Sequence, residues 1–387
     1  MANFTLFSQI IQKIERTVFK RSVKAHQSDK HNKGMNTWTH LCSMLFCHFS
    51  KANSLREICN GLKSTTGNLN HIGVHKAPPK STLAYANEHR NWQVFQQTYY
   101  DLLGQLNFTA GMRKVKFRIK SRIFLLDSST ISLCLSLFDW AKYRQRKGAV
   151  KLHTLLDYDG CLPHYMCMTD GKPHDVTIAK QIQIPAQSVV VADRAYLDFS
   201  LLYTWHLQGI RFVVRLKTSV LFETVSENDL PEDKNHHILK DEIIRLTGTN
   251  TPNQYPQTLR RVAIYDQENN KVIEVITNQM TWTASTIAEL YKQRWQIEIF
   301  FKEIKQHLCI KSFVGTSQNA VLIQIWTALI TLLLLKYLKA IGKYNWCLSN
   351  LIAFLRMNLF SKIDLHYWLN KPFEPPPELV NHQLKIF

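Results

Sequence analysis

Acidic residues are scarce in this chain of 387 residues. Asp and Glu together number 29, against 48 Lys and Arg, which gives a formal net charge of +19 and an isoelectric point near 9.5. Such an imbalance indicates a polyanionic partner, either a nucleic acid or an anionic membrane surface. The basic residues are spread over separate segments, which favours a long polyanion laid across the protein. These segments are 13–24, 113–122, 142–151 and 291–296.

The sequence also lacks the cysteine spacing of a disulfide framework, and it opens without a secretory signal sequence. We therefore expect its eight cysteines to be reduced thiols in a cytoplasmic protein. Cys161, His164 and Cys167 have a spacing that could be taken for a zinc site, but small thiols on a buried strand are the interpretation we favour. Internal repeats and low-complexity tracts are absent as well, which argues against a repeat architecture.

One long apolar run, AVLIQIWTALITLLLLKYL at residues 320–338, is about long enough to cross a bilayer. Gln324 interrupts this run, and Lys336 and Lys339 lie at its end. A helix that is apolar on all sides can equally form the centre of a soluble core. We favour the buried core helix, and a membrane protein is the weakest of the alternatives.

The first part of the chain, residues 4 to 108, has the three- and four-residue apolar spacing of helices with basic residues between them. Ser54 is predicted to cap one of these helices. We interpret residues 1–112 as a small basic helical domain, related to helix-turn-helix proteins, that binds DNA ends.

The pattern changes to strands near residue 117 and predicts an α/β protein. We expect a buried strand that ends in Asp127, a hairpin that turns at DYDG (157–160), a short helix in HDVTIAKQI (174–182), and a strand that leads into Asp193. A further strand, a second hairpin, a polar-edged helix from residue 284 and two apolar helices complete the prediction. The expected domains are a catalytic domain at 113–315, with a β-strand insertion at 219–280, and a C-terminal helical region at 316–387.

Asp127 and Asp193 both follow short, very apolar runs, where side chains of a mixed sheet project into a ligand-binding crevice. Each could instead be an ordinary strand-terminating turn residue. Glu298 is a third candidate, because on a helix it shares an arc of roughly 60° with Tyr291, Arg294 and Lys305. The simpler alternative is a surface ion pair between Arg294 and Glu298, which are spaced i,i+4.

Three carboxylates with few histidines suit Mg²⁺ or Mn²⁺, which prefer oxygen ligands. In a basic protein, such metal ions activate water or a 3′-hydroxyl for displacement at a phosphodiester. The basic edge of the helix would then hold the DNA against the metal ions.

The spacing Y-x2-R-x3-E-x6-K, formed by Tyr291, Arg294, Glu298 and Lys305, resembles the signature of the insertion-sequence-4 family of bacterial transposases. The segments LLDSSTISL (125–133) and VVVADRAY (189–196) look like the strands that carry the first and second Asp of that family. The likeness extends over residues 1–360 and includes a helical N-terminal domain.

The resemblance implies an RNase H-like mixed-sheet core in which Asp127, Asp193 and Glu298 bind Mg²⁺, with Mn²⁺ as a substitute. It implies DNA contacts for seven further side chains, among which Trp295 is expected either to stack on an unpaired base or to pack in the core. They are Tyr291, Arg294, Trp295, Lys305, Arg194, Arg215 and Lys217. Some family members stack a flipped base on a tryptophan of the insertion. Trp282, at the end of the insertion, is no clear counterpart.

The implied function is cut-and-paste transposition: cleavage at the ends of the element, followed by attack of the freed 3′-hydroxyl on target DNA. The implied partners are double-stranded DNA, both terminal inverted repeats and target, and a second copy of the chain in the DNA complex. The expected location is the bacterial cytoplasm, in association with the nucleoid. Two alternatives stay open: an RNase H-like nuclease without strand transfer, and a catalytically inactive DNA-binding protein derived from a transposase.

Overall fold

The computed structural model describes residues 4–32, 34–106, 119–134, 137–138, 140–144, 147–230, 237–310 and 312–375. The expected boundary between residues 112 and 113 lies outside the described residues, as does most of the basic segment 113–122. The chain forms two compact units. A helical unit comprises residues 1–112, 136–140 and 302–387, and a sheet unit comprises residues 113–135 and 141–301.

The N-terminal part is helical, as predicted. The Ser54 hydroxyl accepts a hydrogen bond from the Glu57 amide and so caps the fourth helix, which confirms the predicted cap. The helices are α1 (Leu6–Ile11), α2 (Arg16–Ala25), α3 (Thr37–Ser50), α4 (Leu55–Lys63), α5 (Lys80–His89) and α6 (Gln93–Gln105).

The sheet unit contains ten strands among the described residues. They are β1 (Ile123–Leu133), β2 (Lys142–Arg144), β3 (Lys147–Asp157), β4 (Leu162–Asp170), β5 (Val189–Ala192), β6 (Arg211–Arg215), β7 (Phe222–Glu227), β8 (Ile238–Leu246), β9 (Leu259–Asp266) and β10 (Lys271–Thr277). The helices of this part of the chain are α7 (Asp175–Ala179), α8 (Phe199–Leu207), α9 (Thr251–Gln254), α10 (Ala284–Lys292) and α11 (Trp295–His307), the last of which continues into the helical unit.

All of these strands belong to one mixed sheet. Strands β1, β3 and β4 pair antiparallel in succession, whereas β5 and β6 run parallel to β1, so that the order β4-β3-β1-β5-β6 is that of an RNase H-like core. The predicted insertion adds β7 to β10, and it joins the same sheet because β10 pairs with β6. Phe124, Val190 and Phe212 pack with Leu202 of α8 in the hydrophobic core on one face of this sheet.

The C-terminal part has three helices among the described residues, where the sequence predicted two: α12 (Gln318–Ile341), α13 (Leu348–Asn358) and the short α14 (Leu365–Asn370). Helix α12 alone in the described part of the chain is long and apolar enough to span a bilayer, but 83% of its apolar window is buried. It packs against α3, α5 and α6. Its interrupting polar residue, Gln324, is fully buried and bonds the backbone of Ser312 and Val314. Helix α12 is thus the core of the helical unit, as favoured from the sequence.

Candidate active site

Asp127 and Asp193 occupy matching positions on neighbouring parallel strands. The parallel pairing of β1 with β5 aligns Leu126 with Ala192, and each aspartate is the next residue along its strand. The sequence-based expectation that β1 ends at Asp127 is wrong, because antiparallel pairing with β3 carries β1 on to Leu133. Only the pairing of β1 with the parallel strand β5 ends just before Asp127, at Leu126. The two carboxylates therefore lie side by side at the carboxyl edge of the parallel strands, although one of them is inside a strand.

Glu298 reaches the site from a helix that is broken. The sequence predicted one continuous helix from residue 284, whereas α10 ends at Lys292 and α11 begins at Trp295. Between them the Arg294 amide bonds the Tyr291 carbonyl, an i to i−3 contact that tightens the turn. The predicted apolar face is confirmed, since all its members are buried: Leu290, Ile297, Phe300, Phe301, Ile304 and Leu308.

Arg294 contacts two of the three carboxylates. Its Nη2 atom lies 2.5 Å from Glu298 Oε1, and its Nη1 atom lies 3.4 Å from Asp127 Oδ2. The i,i+4 ion pair that the sequence left open is thus present, but it also reaches across to β1. The arrangement gathers Asp127, Glu298 and one guanidinium in a half-buried cluster.

The ionisation of Asp127 reflects the same crowding. Burial raises the pKa of Asp127 to about 6, and the negative charges of Asp193 and Glu298 act in the same direction. The Ser128 amide, which donates to Asp127 Oδ1 at 2.7 Å, and the Arg294 charge oppose this rise. The three carboxylates are therefore near enough to one another to interact electrostatically.

Some of the predicted DNA-contacting side chains share this neighbourhood. Tyr291 is buried; burial raises the pKa of its hydroxyl, and the nearby charges of Arg294, Asp193 and Arg215 act on it. Trp295 is 59% exposed, which excludes the core-packing interpretation of this side chain.

The remaining predicted contacts are Arg194, Lys217 and Lys305. Arg194, in the turn directly after Asp193, and Lys217, two residues beyond β6, are exposed. Lys305 lies two turns beyond Glu298 on α11, in the helical unit. The structure thus brings Tyr291, Arg294 and Arg215 to the carboxylates and leaves Arg194 and Lys217 on the surface of the sheet unit.

The three carboxylates fit a divalent metal ion by chemistry. Their oxygens form the hard donor set that Mg²⁺ and Mn²⁺ prefer, and a cation would stabilise the ionised form of Asp127. Within the described residues, however, no group of three His, Cys, Asp or Glu side chains is arranged closely enough to hold a metal ion. That holds equally for Cys161, His164 and Cys167, of which the last two lie on β4, so a zinc site there has no support in the described structure.

Sequence reasoning missed a polar cluster near Asp127. Asp175, at the start of α7, pairs with Lys151 at 2.7 Å, and His153 lies 3.4 Å away. The motif HDVT (174–177) was interpreted only as a short helix. The available signal was the spacing of Lys151 and His153, which are two residues apart on β3 and so lie on the same face of the strand.

Two family models and several named proteins are similar to this chain. Residues 118–334 match the family model of the transposase DDE domain, and residues 2–75 match a domain of unknown function, DUF4372. A protein of Sinorhizobium fredii named as a transposase is 29% identical over 291 residues, 75% of this chain and 80% of that protein. One of Geobacillus stearothermophilus, named as a transposase for the insertion sequence element IS5377, is 32% identical over 65% of this chain and 66% of its own length.

A third relative, from a Synechocystis strain, is named as a transposase for the element IS4SA and is 24% identical over 75% of this chain and 81% of its own length. Among solved structures, the chain is similar to a piggyBac transposase in a synaptic complex with hairpin DNA. The TM-score is 0.44 at 10% identity, and the match covers 97% of this chain and 81% of the other.

Proposed function

Because this chain belongs to the family of proteins with a transposase DDE domain, we propose that it moves its element by cut-and-paste transposition, with Asp127, Asp193 and Glu298 as the metal-binding carboxylates. The chain is a DNA transposase, and enzymes of this family depend on divalent metal ions. The observation that carries the assignment is the grouping of the three carboxylates. Arg294 contacts Asp127 and Glu298, and the charges of Asp193 and Glu298 act on Asp127. They come from β1, from the turn directly after β5 and from α11, three elements that are separate in the chain.

Mg²⁺ is the metal ion that we propose, with Mn²⁺ as a substitute, since the donors are carboxylate oxygens. When bound, the metal supplies activation of the attacking oxygen and stabilisation of the charge that develops at the phosphate. The roles of the chain itself are to hold the two aspartates side by side and to bring Glu298 to them on α11. Water is the nucleophile in cleavage, and the freed 3′-hydroxyl is the nucleophile in joining, so that no covalent bond between protein and DNA is required.

Arg294 is proposed to change partners when DNA binds. In the structure its guanidinium forms ion pairs with Asp127 and Glu298. A phosphate of the DNA end can accept two parallel hydrogen bonds from the guanidinium, and a bound metal ion would compensate the charge of the carboxylates. This exchange accommodates both the ion pair and the DNA contact that the sequence motif implies for Arg294.

Further DNA contacts are proposed for the residues around the carboxylates. The exposed indole of Trp295, next to Arg294, suits stacking on an unpaired base. The hydroxyl of Tyr291 and the basic side chains supply hydrogen bonds and charge to the phosphates near the cleaved bond. The basic members of this set are Lys305, Arg194, Arg215 and Lys217.

End recognition is proposed for the N-terminal helices. Beside α4 and the start of α5 lies a groove of about 610 Å³, which we name the basic groove. No acidic residue is among the described side chains that line it, whereas five basic ones are: Arg56, Lys63, His75, Lys76 and Lys80. Positive charge around an open groove suits the DNA backbone. We further propose that two copies act together, since both ends must be cut in concert, in the cytoplasm at the nucleoid.

The test is DNA cleavage by the purified protein on a fragment that carries the ends of its element, with Mg²⁺ or with EDTA. We expect metal-dependent cutting at the end boundary, which Glu298→Ala abolishes. Asp127→Asn should abolish cutting while binding to the ends is retained. Glu268→Ala, at the exposed turn between β9 and β10, is the matched control and should cut normally.

The products of this assay distinguish the three candidate functions: transposase, nuclease and inactive DNA-binding protein. Cutting followed by joined products supports transposition, whereas cutting without joining identifies a nuclease. Specific binding of the ends without any cutting would identify an inactive DNA-binding protein. Cutting that survives Glu298→Ala would overturn the assignment of the carboxylates.

A further inference from the structure

Asp175 is the centre of a half-buried polar cluster in the sheet unit. Its Oδ2 atom pairs with Lys151 Nζ at 2.7 Å, and its Oδ1 atom lies 3.4 Å from His153 Nδ1. His153 is 1% exposed and also contacts the Thr169 hydroxyl through Nε2, at 3.0 Å. Burial acts to raise the pKa of Asp175, but hydrogen bonds from His153, Lys151 and Ser128 outweigh it, so that the pKa is held well below its usual range. Asp175 is therefore an ionised, multiply anchored carboxylate.

This cluster supports the strand directly behind Asp127. Successive side chains of a strand point to opposite faces, so Asp127 and Ser128 lie on opposite faces of β1. Ser128 stands opposite His153 in the antiparallel register, and its hydroxyl is within reach of Asp175. The Ser128 amide, in turn, donates to Asp127 Oδ1 at 2.7 Å. Ser128 thus lies between the two aspartates, with its hydroxyl close to Asp175 and its amide bonded to Asp127.

The same cluster reaches the segment of Asp193. Tyr196 closes the short 3₁₀ turn that follows Asp193, and its amide bonds the Asp193 carbonyl at 3.0 Å. The Tyr196 side chain is 1% exposed, and its hydroxyl lies near both Ser128 and the negative charge of Asp175. One half-buried carboxylate therefore lies close to residues that hold both aspartates of the candidate site.

We propose that Asp175 is a positioning residue, which sets the orientation of Asp127 and Asp193 for metal binding through Ser128 and Tyr196. The inference rests on the proposed function, because it takes these two aspartates as metal ligands. Removal of a carboxylate that holds metal ligands in place typically lowers metal affinity or activity by about 10- to 100-fold. Asp175 itself stays on the opposite face of the sheet from Asp127 and does not touch the reacting atoms.

The experiment compares Asp175→Asn, which keeps the shape and removes the charge, with the wild-type chain. Binding of Mn²⁺ alone is measured by calorimetry without DNA, and binding of end DNA is measured in EDTA. We expect Mn²⁺ affinity to fall about tenfold and the metal concentration for half-maximal cleavage to rise in parallel. DNA binding in EDTA should stay within about twofold. Excess Mn²⁺ should restore most of the cleavage, because the ligands themselves are intact.

Asp157→Asn is the matched control. Asp157 lies on β3 like the partners of Asp175, and it forms an ion pair with Arg122 at the edge of the unit. The Asp157→Asn variant should be less stable than the wild type but should bind Mn²⁺ with unchanged affinity. Equal losses of metal affinity in both variants would reduce Asp175 to a structural role and overturn the proposal, as would an unchanged affinity in Asp175→Asn.

Two further variants guard against a failure to fold. Ser128→Ala and Tyr196→Phe each remove one hydroxyl close to Asp175 and should weaken Mn²⁺ binding less than Asp175→Asn does. Unchanged binding in both variants would contradict a role of these two residues. Glu298→Ala separates the two proposals. If it leaves Mn²⁺ binding unchanged, the assignment of the metal site has failed; if it abolishes binding while Asp175→Asn has no effect, only the positioning role has failed.

Discussion

At the scale of single residues, Asp127 is the group whose charge state is most sensitive to the fold. Its half-buried carboxyl lies near two other carboxylates and one guanidinium. Burial raises its pKa from 3.8 to about 6. A carboxyl with a raised pKa in the folded state destabilises the fold above the pKa of the unfolded chain. The site therefore holds a charge that lowers stability unless a cation compensates it.

The first prediction concerns Asp127→Asn in metal-free buffer. Above pH 7 the variant should be more stable than the wild type, by on the order of 2 kcal/mol, because the buried charge is gone. This gain should shrink as the pH falls through 6 and vanish near pH 4, where Asp127 is protonated in both states. Urea unfolding at several pH values measures it, with the exposed Glu268→Gln as the control. A gain that is constant with pH would show that the buried charge is not its cause.

Residue types and spacing predicted the candidate carboxylates, because their chemistry depends on identity more than on context. Nothing in the sequence indicated that Arg294 would reach Asp127, since that contact joins positions far apart in the chain. The exposure of Trp295 was equally open, because a tryptophan at this position suited both stacking on a base and packing in the core. The Asp175 cluster was missed for a related reason: its members come from β1, β3, α7 and the turn after β5.

At the scale of elements, the predicted types were right more often than the predicted ends. The hairpin at DYDG, the helix in HDVTIAKQI and the second hairpin are all present as β3–β4, α7 and β9–β10. The predicted end of β1 was wrong. The polar residues after Asp127 do not indicate a strand in the sequence, but backbone pairing with β3 stabilises one there. The break between α10 and α11 was missed for a similar reason, since no proline or glycine marks it.

The insertion contains a buried ion pair that connects to the segment just before α10. Arg260 of β9 is 5% exposed and makes a two-pronged contact with Asp241 of β8, at 2.8 and 2.6 Å. Its Nη1 atom also donates to the carbonyl oxygens of Met280 and Trp282, just before Thr283 caps α10. Arg260 thereby ties the insertion to the start of the helix pair that carries Arg294 and Glu298.

The second prediction concerns this pair. Asp241→Leu or Arg260→Met alone should cost about 3–5 kcal/mol of unfolding free energy, because each leaves an uncompensated buried charge. The double variant should regain much of that loss. Its cleavage should remain low, however, because the contacts with the carbonyls ahead of α10 are still missing. Chemical unfolding and the cleavage assay measure the two effects; single variants that cost less than about 1 kcal/mol would contradict the prediction.

At the scale of the whole molecule, the two compact units are not consecutive segments of the chain. The sequence predicted three consecutive parts, whereas the N-terminal and C-terminal helices together form one unit around α12. Composition and periodicity describe neighbours along the chain and therefore cannot reveal that α3 and α6 pack against a helix that begins at residue 318. The RNase H-like core was predictable, because its strands carry a family signature.

The third prediction tests the basic groove by charge reversal, which leaves the helical unit whole, unlike a deletion of residues 1–110. The variant Lys63→Glu/Lys76→Glu should weaken binding to the ends at least about tenfold at moderate salt and reduce the salt dependence by about one to two phosphate contacts. Lys339→Glu/Lys343→Glu makes the same charge change at exposed positions outside the groove. Equal effects of the two pairs would mean that net charge, and not the groove, controls affinity.

The helical unit is completed only by the last part of the chain to be synthesised. Helix α12, around which α3, α5 and α6 pack, leaves the ribosome after the entire sheet unit has been made. A premature stop codon anywhere before residue 318 therefore removes the core of the N-terminal helices as well. A damaged gene copy of this kind would not yield a stable N-terminal fragment. If these helices bind the ends of the element, as we propose, such a copy would not compete with the intact enzyme for them.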